Sequence, residues 1–201
     1  MRALALALCA LQLCPAVLGG QPWLPFVVER PHRRLLNQVG DFSWENCGNG
    51  TDPLVIKSLS LAPDPISIPG DLKVSVAVSS TADLSSPLKA VLKVEKKIAE
   101  MWIPIPCVDQ IGSCTYDDVC SMLDNAIPPG TPCPEPLLSY GIPCHCPFKQ
   151  GTYSLPPTDF YLPVIQLPSW LTNGDYCVRA VLSHDGKQLA CIQVALSLHS
   201  E

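Results

Sequence analysis

The chain has 201 residues and a formal net charge of −5 at pH 7, an acidic, dispersed balance of 18 acidic against 13 basic residues. That balance argues against nucleic acid as a partner. Twenty-two prolines, about twice the usual ~5% frequency, interrupt helices and central strands, so the composition predicts an all-β protein with long loops.

Met1-Arg2, the apolar run Ala3–Leu18 and Gly19-Gly20 form a charged start, an apolar middle and a small-residue end. Residues 1–20 are therefore expected to be a secretory signal peptide, too short for a comfortable membrane span. Its loss removes Arg2, leaving 12 basic residues against 18 acidic ones and a formal charge of −6. Residues 21–38 carry Arg30-Pro31-His32-Arg33-Arg34 without sustained periodicity and are expected to be a leader or propeptide-like segment. The remaining 39–201 have the size of one domain with its own core. An exported chain is oxidised, so the nine cysteines left after Cys9 and Cys14 imply disulfides with one thiol over.

Asn49-Gly50-Thr51 is an N-glycosylation sequon in a Gly-rich turn, which makes Asn49 a candidate carbohydrate site. Val74, Val76 and Val78 alternate with Lys73, Ser75 and Ala77. Leu88, Ala90, Leu92 and Val94 likewise alternate with Lys89, Val91, Lys93 and Glu95, and both patterns predict strands. Met101-Trp102-Ile103-Pro104-Ile105-Pro106 is apolar, but Pro lacks the donor that a central ladder requires, so an apolar loop is expected. The spacing predicts one short helix over 116–125, with Thr115 as N-cap and Asp118 completing an approximate capping box. Asp117 and Asp118 invite a reading as a catalytic pair, but acids in a first turn ordinarily serve the helix dipole.

Ile127–Cys146 is rich in Pro, Gly and Cys and predicts a loop held by its bridges. Cys133, Cys144, His145 and Cys146 have the chemistry of a zinc site, yet export favours disulfides. Cys144 and Cys146 are too close in sequence to bond each other without strain, so each needs a distant partner, with Cys133 and Cys120 as candidates. Leu167-Pro168-Ser169-Trp170-Leu171 is a second apolar, Pro-bearing segment. Two such segments point to a membrane-facing rim in which Trp102, Ile103, Trp170 and Leu171 contact lipid. Asp175–Leu182 and Gln188–Leu196 flank His184-Asp185-Gly186-Lys187, whose Asp-Gly suits the positive-φ positions of a hairpin turn.

Catalytic signatures are missing from the sequence: there is no G-x-S-x-G elbow, no H-E-x-x-H and no phosphate-cradling glycine loop. His32, His145, His184 and His199 sit in no catalytic pattern, and the last two are expected in solvent. A lipid esterase would need a serine activated by a base, for which the sequence offers no pair. No cofactor and no metal ion is called for.

Phe42-Ser43-Trp44-Glu45-Asn46-Cys47 and Ala62-Pro63-Asp64-Pro65-Ile66 resemble the MD-2-related lipid-recognition family. Further runs, Pro132–Leu137, Ile142–Lys149, Gly151–Pro156 and Leu167–Leu171, extend the likeness over about residues 40–198. The resemblance implies an antiparallel β-cup, a sandwich spread apart to enclose an apolar lipid cavity. It implies the disulfides Cys47–Cys191, Cys107–Cys114, Cys120–Cys146 and Cys133–Cys144. Cys177 is left without a partner, and Asp71 stands where the family sequon would begin.

The member that these runs resemble most lifts GM2 ganglioside and related glycolipids from anionic lysosomal membranes. It presents the sugar head to β-hexosaminidase A, whose own carboxylates do the chemistry. By resemblance, then, the protein is expected to be non-catalytic and to reach the lysosome through the secretory pathway, with some of it secreted. A general lipid-transfer protein or lipid co-receptor of the same fold is the alternative.

Overall fold

A computed structural model describes residues 42–164 and 173–200. The segments 1–20 and 21–38, and Trp170 and Leu171, lie outside the described residues. Among the described residues ten strands and one helix follow in order: β1 (Ser43–Asn46), β2 (Leu54–Ala62), β3 (Ile66–Ile68), β4 (Gly70–Ser80), β5 (Lys89–Ile98), β6 (Met101–Pro104), β7 (Thr115–Tyr116), α1 (Val119–Ala126), β8 (Gly151–Leu162), β9 (Gly174–His184) and β10 (Lys187–Ser200).

The larger sheet runs β1-β10-β9-β5-β6, with β3 added to β10 and β7 to β5; the smaller runs β2-β4-β8. Within each path neighbours are antiparallel, whereas β3 lies parallel to β10. The β9–β10 hairpin turns at Asp185-Gly186, with φ of 47° and 76°. Paired positive φ is the I′ geometry whose twist matches the flanking strands, and glycine takes it without a Cβ clash.

Register aligns Leu92, Val94, Val178, Ala180, Ile192, Val194 and Leu196 on one face of the larger sheet. In the smaller sheet Leu59, Leu61, Leu72, Val74, Val76, Val78, Phe160 and Leu162 share one face. The two apolar faces meet at the end near α1, where Leu54 of β2 packs against the buried cluster of Leu84, Leu88, Cys120 and Leu189. A second cluster, Val94, Ile105 and Tyr176, lies further along the larger sheet.

Polar fastenings join the sheets along one long edge. The Asn46 side chain donates to the Ile56 carbonyl (2.8 Å) and accepts from the Ile56 amide (3.0 Å), adding a rung to the outer edge of β2. Gln188 donates to both carboxylate oxygens of Asp52, and Asp64 accepts from the Ser197 amide at 2.9 Å. The bridge Cys47–Cys191 ties β10 to the end of β1 across 144 residues. Cys107–Cys114, Cys120–Cys146 and Cys133–Cys144 are also bonded, and Cys177 is a buried free thiol.

Two local expectations are corrected. The helix begins at Val119, and its N-cap is Asp118 rather than Thr115. Thr115 and Tyr116 are committed to pairing with Val91 and Ala90, which leaves Asp118 as the first side chain able to reach the free amides. The segment at Trp102 and Ile103 is not a loop but the edge strand β6, hairpinned on β5. An edge strand tolerates Pro104, because its missing donor faces away from the ladder.

Candidate functional site

The interior between the sheets is the feature that an ordinary sandwich lacks. Inward side chains normally interdigitate at close-packed density, leaving few voids. Here the inward residues Leu59, Leu61, Leu72, Val74, Val76, Val78 and Phe160 of the smaller sheet are only half-buried, as are Leu92, Val178, Ala180, Ile192, Val194 and Leu196 opposite. Apolar side chains aimed inwards but only partly covered mean that the two sheets stand apart around unfilled space.

At the α1 end that space narrows to a partly open cavity of about 290 Å³, at the lower edge of ordinary small-molecule sites. Leu54, Val78 and Tyr153 reach it from the smaller sheet, Leu182 from the larger one, Val119 from α1, and Ile142 and Phe148 from the 127–150 loop. The wall is almost wholly apolar, so it suits hydrocarbon, and it offers no polar array for recognising a sugar or a phosphate.

The α1 end is held by Asp118. Its carboxylate accepts from the Cys120 amide (3.0 Å) and Ser121 hydroxyl (2.8 Å) of the helix, and from the Leu88 amide (3.0 Å) and Ser86 hydroxyl ahead of β5. Those donors, the Ser86 hydroxyl foremost and then the Leu88 amide, hold its carboxyl well below the usual carboxylate range. Asp118 is thus a fastener between helix and strand. Asp83 is also held down, chiefly by a hydrogen bond from Lys149 and then by the Gln150 amide, where the 127–150 loop enters β8.

Cys133, Cys144 and His145 lie close enough to suggest a metal site, but the two sulfurs are bonded to each other and neither is a thiolate. Cys177 lies on the outward face of β9 opposite Glu95 and Ala195. Burial, and then the neighbouring Glu95 charge, push its thiol up, away from the reactive thiolate form. His184 is less exposed than a solvated turn residue would be, for its Nδ1 lies 2.9 Å from the Pro87 carbonyl.

The opposite end of the sandwich exposes hydrocarbon. Ile98 (53%), Met101 (64%) and Ile103 (37%) stand out at the β5–β6 hairpin, and Tyr161 and Val164 at the end of β8. Ile103 shares its face with Lys96, whereas Trp102 is half-buried on the reverse face opposite Lys97. Trp102 and Ile103 therefore point different ways, a split that period-2 geometry imposes on strand neighbours and that loop reasoning missed. Asn49 is exposed after β1, its Oδ1 accepting from the Thr51 hydroxyl and amide.

A hollow, apolar, disulfide-tied sandwich is the architecture of lipid recognition, and residues 41–198 match the ML domain. The chain belongs to the ML domain family. Two curated relatives in that family are both called ganglioside GM2 activator. The one from Macaca fascicularis is 57% identical over 168 residues, covering 84% of this chain and 88% of the relative. The one from Mus musculus is 54% identical over 165 residues, covering 82% and 86%. Among solved structures, a Niemann-Pick type C2 protein from Japanese carpenter ant covers 78% of this chain and 98% of its own. At 12% identity and a TM-score of 0.38 it adds nothing to the case.

Proposed function

We propose that the protein is a non-catalytic sphingolipid activator. It takes GM2 ganglioside from a membrane, seats the ceramide between its sheets and offers the sugar head to β-hexosaminidase A. The observation that carries this reading is the only partly covered apolar lining shared by both sheets, seen in a chain more than half identical to relatives named for GM2 activation. A bilayer holds a lipid by about 0.8 kcal/mol per buried CH₂, so a carrier must offer comparable apolar surface. The hollow interior supplies such surface, and its lack of polar recognition groups leaves the carbohydrate outside.

Ile98, Met101 and Ile103 form the rim that meets the anionic lysosomal membrane, Trp102 braces the hairpin from its other face, and Trp170 and Leu171 are lipid contacts proposed from the sequence alone. Residues 1–20 direct export, 21–38 are removed or remain as a leader, and the protein reaches the lysosome through the secretory pathway. Asn49 carries the glycan, away from the rim.

The deciding assay follows release of N-acetylgalactosamine from GM2 in vesicles by β-hexosaminidase A, with and without the protein, alongside a water-soluble substrate. Stimulation confined to vesicles is the expected result. Equal turnover with and without the protein refutes the activator role, and if lipid transfer between vesicles persists the general lipid-transfer reading takes its place.

A further inference from the structure

His145 sits between Cys144 and Cys146, each bonded elsewhere, and its ring faces two oxygen acceptors. Nδ1 lies 3.4 Å from Asp124 Oδ1 on α1, and Nε2 lies 3.2 Å from the Thr131 carbonyl in the loop. A neutral imidazole carries one N–H. Whichever nitrogen holds it, the other turns a lone pair towards an oxygen, so only the imidazolium satisfies both contacts. Among the described residues Asp124 is the one ionisable side chain paired with this ring. The remaining near neighbours, the sulfurs of Cys133 and Cys144, are locked in their disulfide.

The position of this bridge decides what it does. Cys120 and Asp124 are one turn apart on α1, so they share a helix face. Cys120 is bonded to Cys146, and Asp124 meets the adjacent His145. The disulfide is therefore a permanent tie between helix and loop, and the histidine contact is a second tie one turn further on. Val119 on the helix side, and Ile142 and Phe148 on the loop side, form the facing walls of the apolar cavity.

We propose that protonation of His145 clamps the 127–150 loop to α1, so that the α1-end wall of the cavity is fastened in acid and loosened at neutral pH. Protonation gives each ring nitrogen a hydrogen for its oxygen partner, so the clamp closes as the protein enters an acidic compartment. Asp124 is 44% exposed, which tempers the strength of the pair. The expected effect is a roughly three- to tenfold change in local opening. The clamp depends on the lipid reading only for its consequence, the retention of an acyl chain.

The amides of Ile142 and Phe148, bonded to the carbonyls of Leu137 and Leu84, report on the wall without any ligand. Hydrogen exchange at these two amides is measured at about pH 7.5 and about pH 5.5, corrected for the intrinsic rate, in the native protein, His145→Gln and Asp124→Asn. Protection that rises in acid in the native protein, and is flat in both variants, supports the clamp. No rise in the native protein, or an equal rise in His145→Gln, overturns it. A second arm follows dissociation of a pyrene-labelled fatty acid, expected to slow in acid in the native protein and to be pH-independent in His145→Gln. If that probe binds at neither pH, the lipid reading fails, and the exchange result still decides the clamp.

Discussion

Removing the Asp118 carboxylate tests whether the α1 end is held by one side chain. Asp118→Ala leaves the Leu88 and Cys120 amides and the Ser86 and Ser121 hydroxyls without their acceptor. A hydrogen bond to a charged group contributes about 1.5–3 kcal/mol, and loss of an N-cap costs about 0.5–2 kcal/mol. These overlap on one carboxylate near the surface, where water replaces part of what is lost, so we expect about 3 kcal/mol for Ala. Asp118→Asn, which keeps an oxygen acceptor, should lose about 1 kcal/mol. For a domain of this size 1 kcal/mol moves Tm by about 2–4 °C, so Asp118→Ala should melt about 6–12 °C lower.

The pH dependence gives a second check. The folded carboxyl is held below its unfolded range, so its contribution is present above the unfolded value, near 3.9, and is lost as pH falls towards the folded one. The gap in Tm between native and Ala proteins should therefore stay constant from about pH 7 to about pH 5 and close only in stronger acid. An Ala variant melting within about 2 °C of the native protein, or a gap already closed at about pH 5, refutes the reasoning.

Val76→Phe places a larger side chain in the half-buried interior; a filled core would lose about 1–3 kcal/mol by overpacking, whereas a hollow one should melt unchanged while lipid uptake falls. Met101 and Ile103 are exposed, so the double change to Glu should leave Tm within about 2 °C and weaken vesicle binding by about tenfold or more, read by flotation. Burial and the raised thiol pKa of Cys177 predict negligible alkylation of the native protein and rapid labelling after denaturation, followed by peptide mapping.

The terminal hairpin was legible because Asp185-Gly186 is a local signal flanked by alternating strands, and β5 because its alternation matches a sheet with one apolar face. The α1 boundary was not, since Thr115 and Tyr116 were claimed by pairing with β5, a long-range contact that capping rules do not see. Trp102 and Ile103 were grouped because Pro104 read as a loop signal, and only the register with Lys96 and Lys97 separates their faces. The hollow interior was hidden for a different reason. The same valines and leucines that alternate along β4 and β8 would line a packed core, and how far apart two sheets stand is set by contacts distant in sequence.

The fastening of the sheets along β2 behaves like the spine of a book. Asn46, Asp52 and Asp64 bind the two covers on one long side, and the interior, being unpacked, does little to fix how wide they stand elsewhere. The volume on offer can then follow the guest: a longer or kinked hydrocarbon tail parts the covers about the spine at the cost of a few contacts, without breaking a ladder bond. Discrimination among lipids by tail length should accordingly be weak, and selectivity must come from the head left outside the covers.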